Sequence, residues 1–207
     1  MSGRSFRLEL LLVVACGKGA PPLPEADPIA VKQLAEKMLH EVPTPAATRE
    51  CTKADLAGGA TMTFRTLQLL GGETLTEKPE SAEWINPPEL EAPAARTLVA
   101  DAKQAKAARQ AAAQLLAAPA WVVYKVDLVN APMALGLKEL KIGSVGTRVI
   151  RYEKTGLPGC VQVFVFENDH AVAEDAIAKS DRAKIDPAVA KRLRDDLAAQ
   201  YIKLAPR

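Results

Sequence analysis

Two rhythms of apolar residues run along the chain. From Val31 the spacing is helical, with Val31, Leu34, Ala35, Met38 and Leu39 on one face. Asp27 is placed to cap this helix and Pro28 to open it, so the pattern predicts a helix from about Pro28 to Glu41, ended by Pro43 and Pro45. A short turn, Thr52 to Ala57, then leads to Gly58-Gly59. Thr61 to Leu70, rich in β-branched residues and bounded by paired glycines, reads as a strand, with a helical alternative in the cluster Leu67, Leu69 and Leu70. Residues 71–93 hold four prolines and Trp84 with no sustained period, the signature of a long ordered loop. Ala94 to Ala118, rich in alanine and free of Gly and Pro, predicts one long helix stopped by Pro119, with Leu98, Val99, Ala102, Ala105, Ala112, Leu115 and Leu116 as its stripe.

The second rhythm is alternation. Trp121 to Val129 predicts a strand with Val122, Tyr124, Val126 and Leu128 on one face. Gly143 to Glu153 and Cys160 to Glu167 predict a hairpin around TGLPG. CVQVFVFE is apolar on both faces, which predicts a central strand covered from both sides. Two closing helices are expected, at about His170 to Ala178 and Pro187 to Leu204. The expected class is α+β: a small, largely antiparallel sheet of about three or four strands with packed helices, forming a single globular domain over residues 29–207.

The amino terminus follows neither rhythm. Leu10 to Ala15 is an apolar run too short to cross a bilayer as a helix, preceded by Arg4 and Arg7 and followed by a cysteine. Val13-Val14-Ala15-Cys16 resembles the lipobox of bacterial lipoprotein signal peptides. The resemblance implies that residues 1–15 are a removable signal, that Cys16 is the lipidation site, and that two or three acyl chains anchor the protein to a membrane. Gly17 and Lys18 follow without an aspartate, which by analogy with enteric bacteria implies the outer membrane, with the domain facing the periplasm. Residues 16–28 form the tether; four prolines and two glycines keep it extended and solvated. The alternative for this segment is a buried strand of a cytosolic protein with an incidental thiol.

Export changes how the other cysteines read. Cys51 and Cys160 are an even pair in an oxidising compartment and are expected to form a disulfide; closing a loop of this length contributes roughly 4 to 5 kcal/mol in the chain-entropy picture. Loss of residues 1–15 removes Arg4, Arg7 and Glu9, so the formal charge goes from +2 to +1. That balance supplies no field for nucleic acid, and no run dense in Lys and Arg is present.

Candidate chemistry is sparse. His40 ends the first helix, where a cation meets the negative end of the dipole. His170, with Glu174 one turn on and Asp169 or Glu167 nearby, forms either part of a metal site or a polar helix start. None of Ser81, Ser144 and Ser180 lies in a GxSxG elbow, and Gly143-Ser144-Val145-Gly146-Thr147 lacks the lysine of a P-loop and reads as a turn. No cofactor is expected. In Thr147 to Glu153, alternation groups Arg148 with Ile150 and Tyr152, and Arg with Tyr is a pairing enriched in binding hot spots, so Arg148 and Tyr152 are candidate binding residues, with Trp84 as a third. The sequence favours a non-enzymatic binding or assembly module whose partner is an envelope protein or the cell wall. The alternatives are a carrier of a lipid or small apolar ligand between sheet and helix, and a metal-dependent hydrolase centred on His170.

Overall fold

The computed structural model describes residues 23–74, 88–100, 105–130, 133–134, 140–141, 143–167, 195, 197–203 and 205–206. Asp27 opens the first helix, α1 (Pro28–His40), by accepting the Ile29 N–H at 2.9 Å. Val31, Ala35 and Met38 are its buried stripe, with Leu34 and Leu39 packed at the margin. A 3-10 turn, Pro45–Ala47, follows, and Thr52 and Asp55 cap α2 (Lys53–Leu56) reciprocally. Gly58 takes a positive φ of 77°, and a Cβ on Gly59 would lie 2.7 Å from Val122 Cγ2, so this glycine pair lets the chain turn tightly against the sheet.

The expected strand Thr61 to Leu70 is a strand only at its start. β1 is Ala60–Thr63, and α3 (Phe64–Leu70) begins at once because the Thr63 hydroxyl accepts the Thr66 N–H. Leu67 and Leu70 then bury at helical spacing. The single long helix is also corrected: α4 (Pro93–Ala100) and α5 (Ala105–Ala117) pack against each other, which two halves of one straight rod would not do. The small side chains that favoured a rod, Ala94 and Ala95 against Ala108, Ala111 and Ala112, equally allow two helices to approach closely.

The remaining strands are β2 (Ala120–Asn130), β3 (Met133–Ala134), β4 (Leu140–Lys141), β5 (Ser144–Glu153) and β6 (Pro158–Glu167). β3 and β4 pair with each other. The main sheet has the order β1-β2-β5-β6, with β1 parallel to β2 and the other pairs antiparallel. The class is α+β. CVQVFVFE is therefore not central: β6 is an outer strand, and the inner strands are β2 and β5. Gly146 is a strand residue, so the expected turn over 143–147 is also corrected.

The sheet has a core on each face. On one face, α1, α3, α4 and α5 cover Met62, Trp121, Val123, Ile150, Tyr152 and Val161. On the other, Leu56 of α2, Leu90, and Leu197 and Tyr201 from the helical residues 197–203 cover Val122, Tyr124, Val145, Val149, Cys160 and Phe166. The expected pairing of Cys51 with Cys160 is present, with a Cα–Cα distance of 5.0 Å. The expected tether is docked at its end: the Ala26 N–H donates to the Arg109 carbonyl at 3.2 Å, and Ala26 packs on the first core. Cys16, Trp84 and His170 lie outside the described residues, as does the helix expected at 170–178.

Candidate functional site

The helices on the first face stop short of one end of the sheet. There, cross-strand register places Leu128, Gly146 and Val165 in one row over β2, β5 and β6. Leu128 is 55 % exposed and Val165 64 %, although both sit in strands whose other ends are buried, at Ala120 to Tyr124 in β2 and at Cys160 and Val161 in β6. Glycine keeps the row open, since a Cβ on Gly146 would meet the Leu128 Cβ at 3.4 Å. The next row pairs Val163, 54 % exposed, with Arg148 and Lys125.

A β-bulge creates this patch. The register of β2 on β5 shifts between Val126, opposite Thr147, and Leu128, opposite Gly146, leaving Asp127 as the extra residue. Val122, Tyr124 and Val126 face the second core as alternation predicts, but the bulge turns Leu128 to the opposite face. The expected grouping of Leu128 with those three is thus corrected. The same extra residue aims Asp127 across β5.

Asp127 organises the charges beside the apolar row. Arg148 donates to both of its carboxylate oxygens, through Nε at 2.6 Å and Nη2 at 2.7 Å, and Lys125 donates from Nζ at 2.9 Å. Burial works against charge on Asp127, but the hydrogen bonds from Arg148 and Lys125 outweigh it, so the carboxyl titrates below its ordinary range. Arg148 also donates from Nη1 to the Pro43 carbonyl at 2.8 Å, joining the loop after α1 to the sheet, and its own charge is reinforced by Asp127. Lys125 lies over the Phe64 ring, 5.1 Å from the centroid. The result is an exposed aliphatic row flanked by a fixed cluster of two cations and one anion.

Of the candidate binding residues, Arg148 lies beside this patch and Tyr152 does not. Tyr152 is fully buried under the helices, where it can touch no partner. Alternation placed it correctly on the face of Arg148 and Ile150; what the sequence did not show is that helices cover that face at the Tyr152 end and leave it open at the Gly146 end. Leu128, Val163 and Val165 were missed. Val163 and Val165 belong to a run whose two apolar faces predict cover on both sides, and a bulge carries no pattern beyond a charged residue, Asp127, within a largely apolar run. His40 is exposed in the last turn of α1. Among the described residues, no group of three or more His, Cys, Asp or Glu side chains is placed to hold a metal ion, and no helix is long and apolar enough to cross a membrane. No protein-family model, curated protein or solved structure matches the chain.

Proposed function

We propose that this protein is a lipid-anchored binding module of the bacterial cell envelope, held to the outer membrane through Cys16 and engaging an envelope protein with the open end of its sheet. The observation that carries the reading is the exposed row Leu128, Gly146 and Val165 beside the Arg148–Asp127–Lys125 cluster. Apolar surface in register across three strands, rimmed by ordered charges, has the make-up of an interface centre and its rim. The tether fits the same picture. From Cys16 to Leu23 an extended chain reaches about 25 Å at most, so an anchored domain stays close to the bilayer and meets partners in that layer.

Two measurements test the two halves of the proposal. A photo-crosslinking amino acid at Leu128 or Val165 should capture one discrete envelope protein in living cells, while the same probe at Leu157, also exposed but in the β5–β6 turn, should not. Equal capture at all three positions, or none, rejects the surface. Fatty-acid labelling should mark the wild type but not Cys16→Ser, with the mature chain starting at residue 16. An unlabelled wild type retaining Met1 rejects the anchor.

A further inference from the structure

β6 is an outer strand with a dangerous sequence. Cys160 to Phe166, CVQVFVF, has seven residues with no charge, no proline and no glycine, and five of them are Val or Phe. Such segments pair with identical copies of themselves when their edge is open. Here the edge is partly closed by residues 49–51, which run beside β6. The Val161 N–H donates to the Arg49 carbonyl at 2.9 Å, the Cys51 N–H donates to the Val161 carbonyl at 3.1 Å, and Glu50 bridges Val161 in parallel.

That strap is fixed at both ends. Cys51 is bonded to Cys160, the neighbour of Val161, and Arg49 forks onto Asp55 of α2 at 2.8 and 3.0 Å. Past Val161, Val163 and Val165 have the same strand parity, so their backbone N–H and C=O groups also point away from β5. Among the described residues nothing pairs with them, and both side chains are more than half exposed.

We propose that the strap is an edge guard against a second copy of this chain. Two β6 strands related by a two-fold axis pair best antiparallel about Val163, with Val163 opposite its own copy and Val161 opposite Val165. This register satisfies all three outward-facing residues of each strand and sets valines against valines. It requires the backbone groups of Val161. The strap already holds them, so the register is closed, and the disulfide keeps it closed. Moving the axis to Val165 frees the pairing from Val161 but places Val163 opposite Glu167, which gives up the apolar match.

Sedimentation velocity over a wide concentration range, with hydrogen exchange, tests this on the full chain. The wild type should show a protected Val161 amide and little association. Cys51→Ser/Cys160→Ser should lose protection at Val161, keep it at Val123 and Ile150, and associate at least about tenfold more tightly. Adding Val163→Lys should return that variant to the wild-type state, since a lysine at the two-fold sets like charges against each other. The proposal is overturned if the serine variant stays monomeric with its core protected, if association survives Val163→Lys, if core protection is lost with the disulfide, or if the wild type associates as strongly.

Discussion

Arg148 and Asp127 meet through a two-bond fork that spans the bulge in β2. The bulge residue supplies the acid, the paired strand supplies the base, and the third arm of the guanidinium ties both to Pro43. Because the Arg148 side chain is only 18 % exposed, this pair is better shielded than a surface ion pair. Arg148→Ala should therefore lower unfolding stability by about 2 kcal/mol. Asp127→Ala should cost a similar amount, and the double variant well under the sum, because each single change strands the other partner. Urea midpoints of the four proteins measure the coupling; strict additivity would show that the fork contributes nothing.

Tyr152 offers a contrasting case. It is fully buried, its hydroxyl has no hydrogen-bond partner among the described residues, and burial pushes its ionisation well above the ordinary tyrosine range. An unpaired buried hydroxyl costs free energy, so Tyr152→Phe should leave stability unchanged or raise it by up to about 1 kcal/mol. Tyr201 is equally buried but bonds Thr147 Oγ1 at 3.0 Å, and Tyr201→Phe should cost about 1 kcal/mol. Paired denaturation curves decide the matter. Equal losses for the two changes would mean that both hydroxyls are satisfied.

The elements set by local chemistry were legible in the sequence. Asp27-Pro28 and the apolar spacing after it locate α1 to within a residue, and two alternating runs about TGLPG give the hairpin of β5 and β6. What failed depends on contacts distant in sequence. CVQVFVFE looks central because both its faces are apolar, yet one face is open at Val163 and Val165, and no local pattern distinguishes a covered valine from an exposed one. The Thr63 cap that turns an expected strand into α3 was readable, as a threonine three residues before Thr66, but β-branched composition outweighed it. The bulge at Asp127 moves Leu128 to the opposite face, and alternation has no means of registering an extra residue. The open patch was hidden for that reason, whereas Arg148 was visible as a charge in a strand.

Acid should destabilise the domain through two carboxylates. Asp55 accepts hydrogen bonds from Arg49 and from Thr52, which hold it well below the usual carboxylate range, and Asp127 is lowered by Arg148 and Lys125 against its burial. A carboxyl with a depressed folded-state pKa stabilises fully above its unfolded value, near 4, and loses that contribution as pH falls through the folded value. Stability should be flat from neutral pH to about 5 and fall progressively below about 4. In Asp55→Asn and Asp127→Asn the loss on acidification should be smaller, from a lower starting point. Urea midpoints between neutral pH and pH 3 check this, and an unchanged acid slope in both variants would place the linkage in other groups.

The disulfide should act as strongly on the unfolded chain as on the folded one. Cys51 and Cys160 are 109 residues apart, and their loop encloses α2 to α5 and β1 to β5. For a loop of that length the chain-entropy picture gives about 4.7 kcal/mol. The Arg49–Asp55 fork and the core beneath α1, α3, α4 and α5 do not include the disulfide, so Cys51→Ser/Cys160→Ser should lose about this much and still fold at 25 °C. If the effect lies in the unfolded ensemble, that ensemble expands when the link is cut, exposes more surface, and steepens the dependence of stability on denaturant. The expected result is thus a lower guanidinium midpoint together with a larger slope. A lower midpoint with an unchanged slope would assign the loss to native contacts around Cys160 instead.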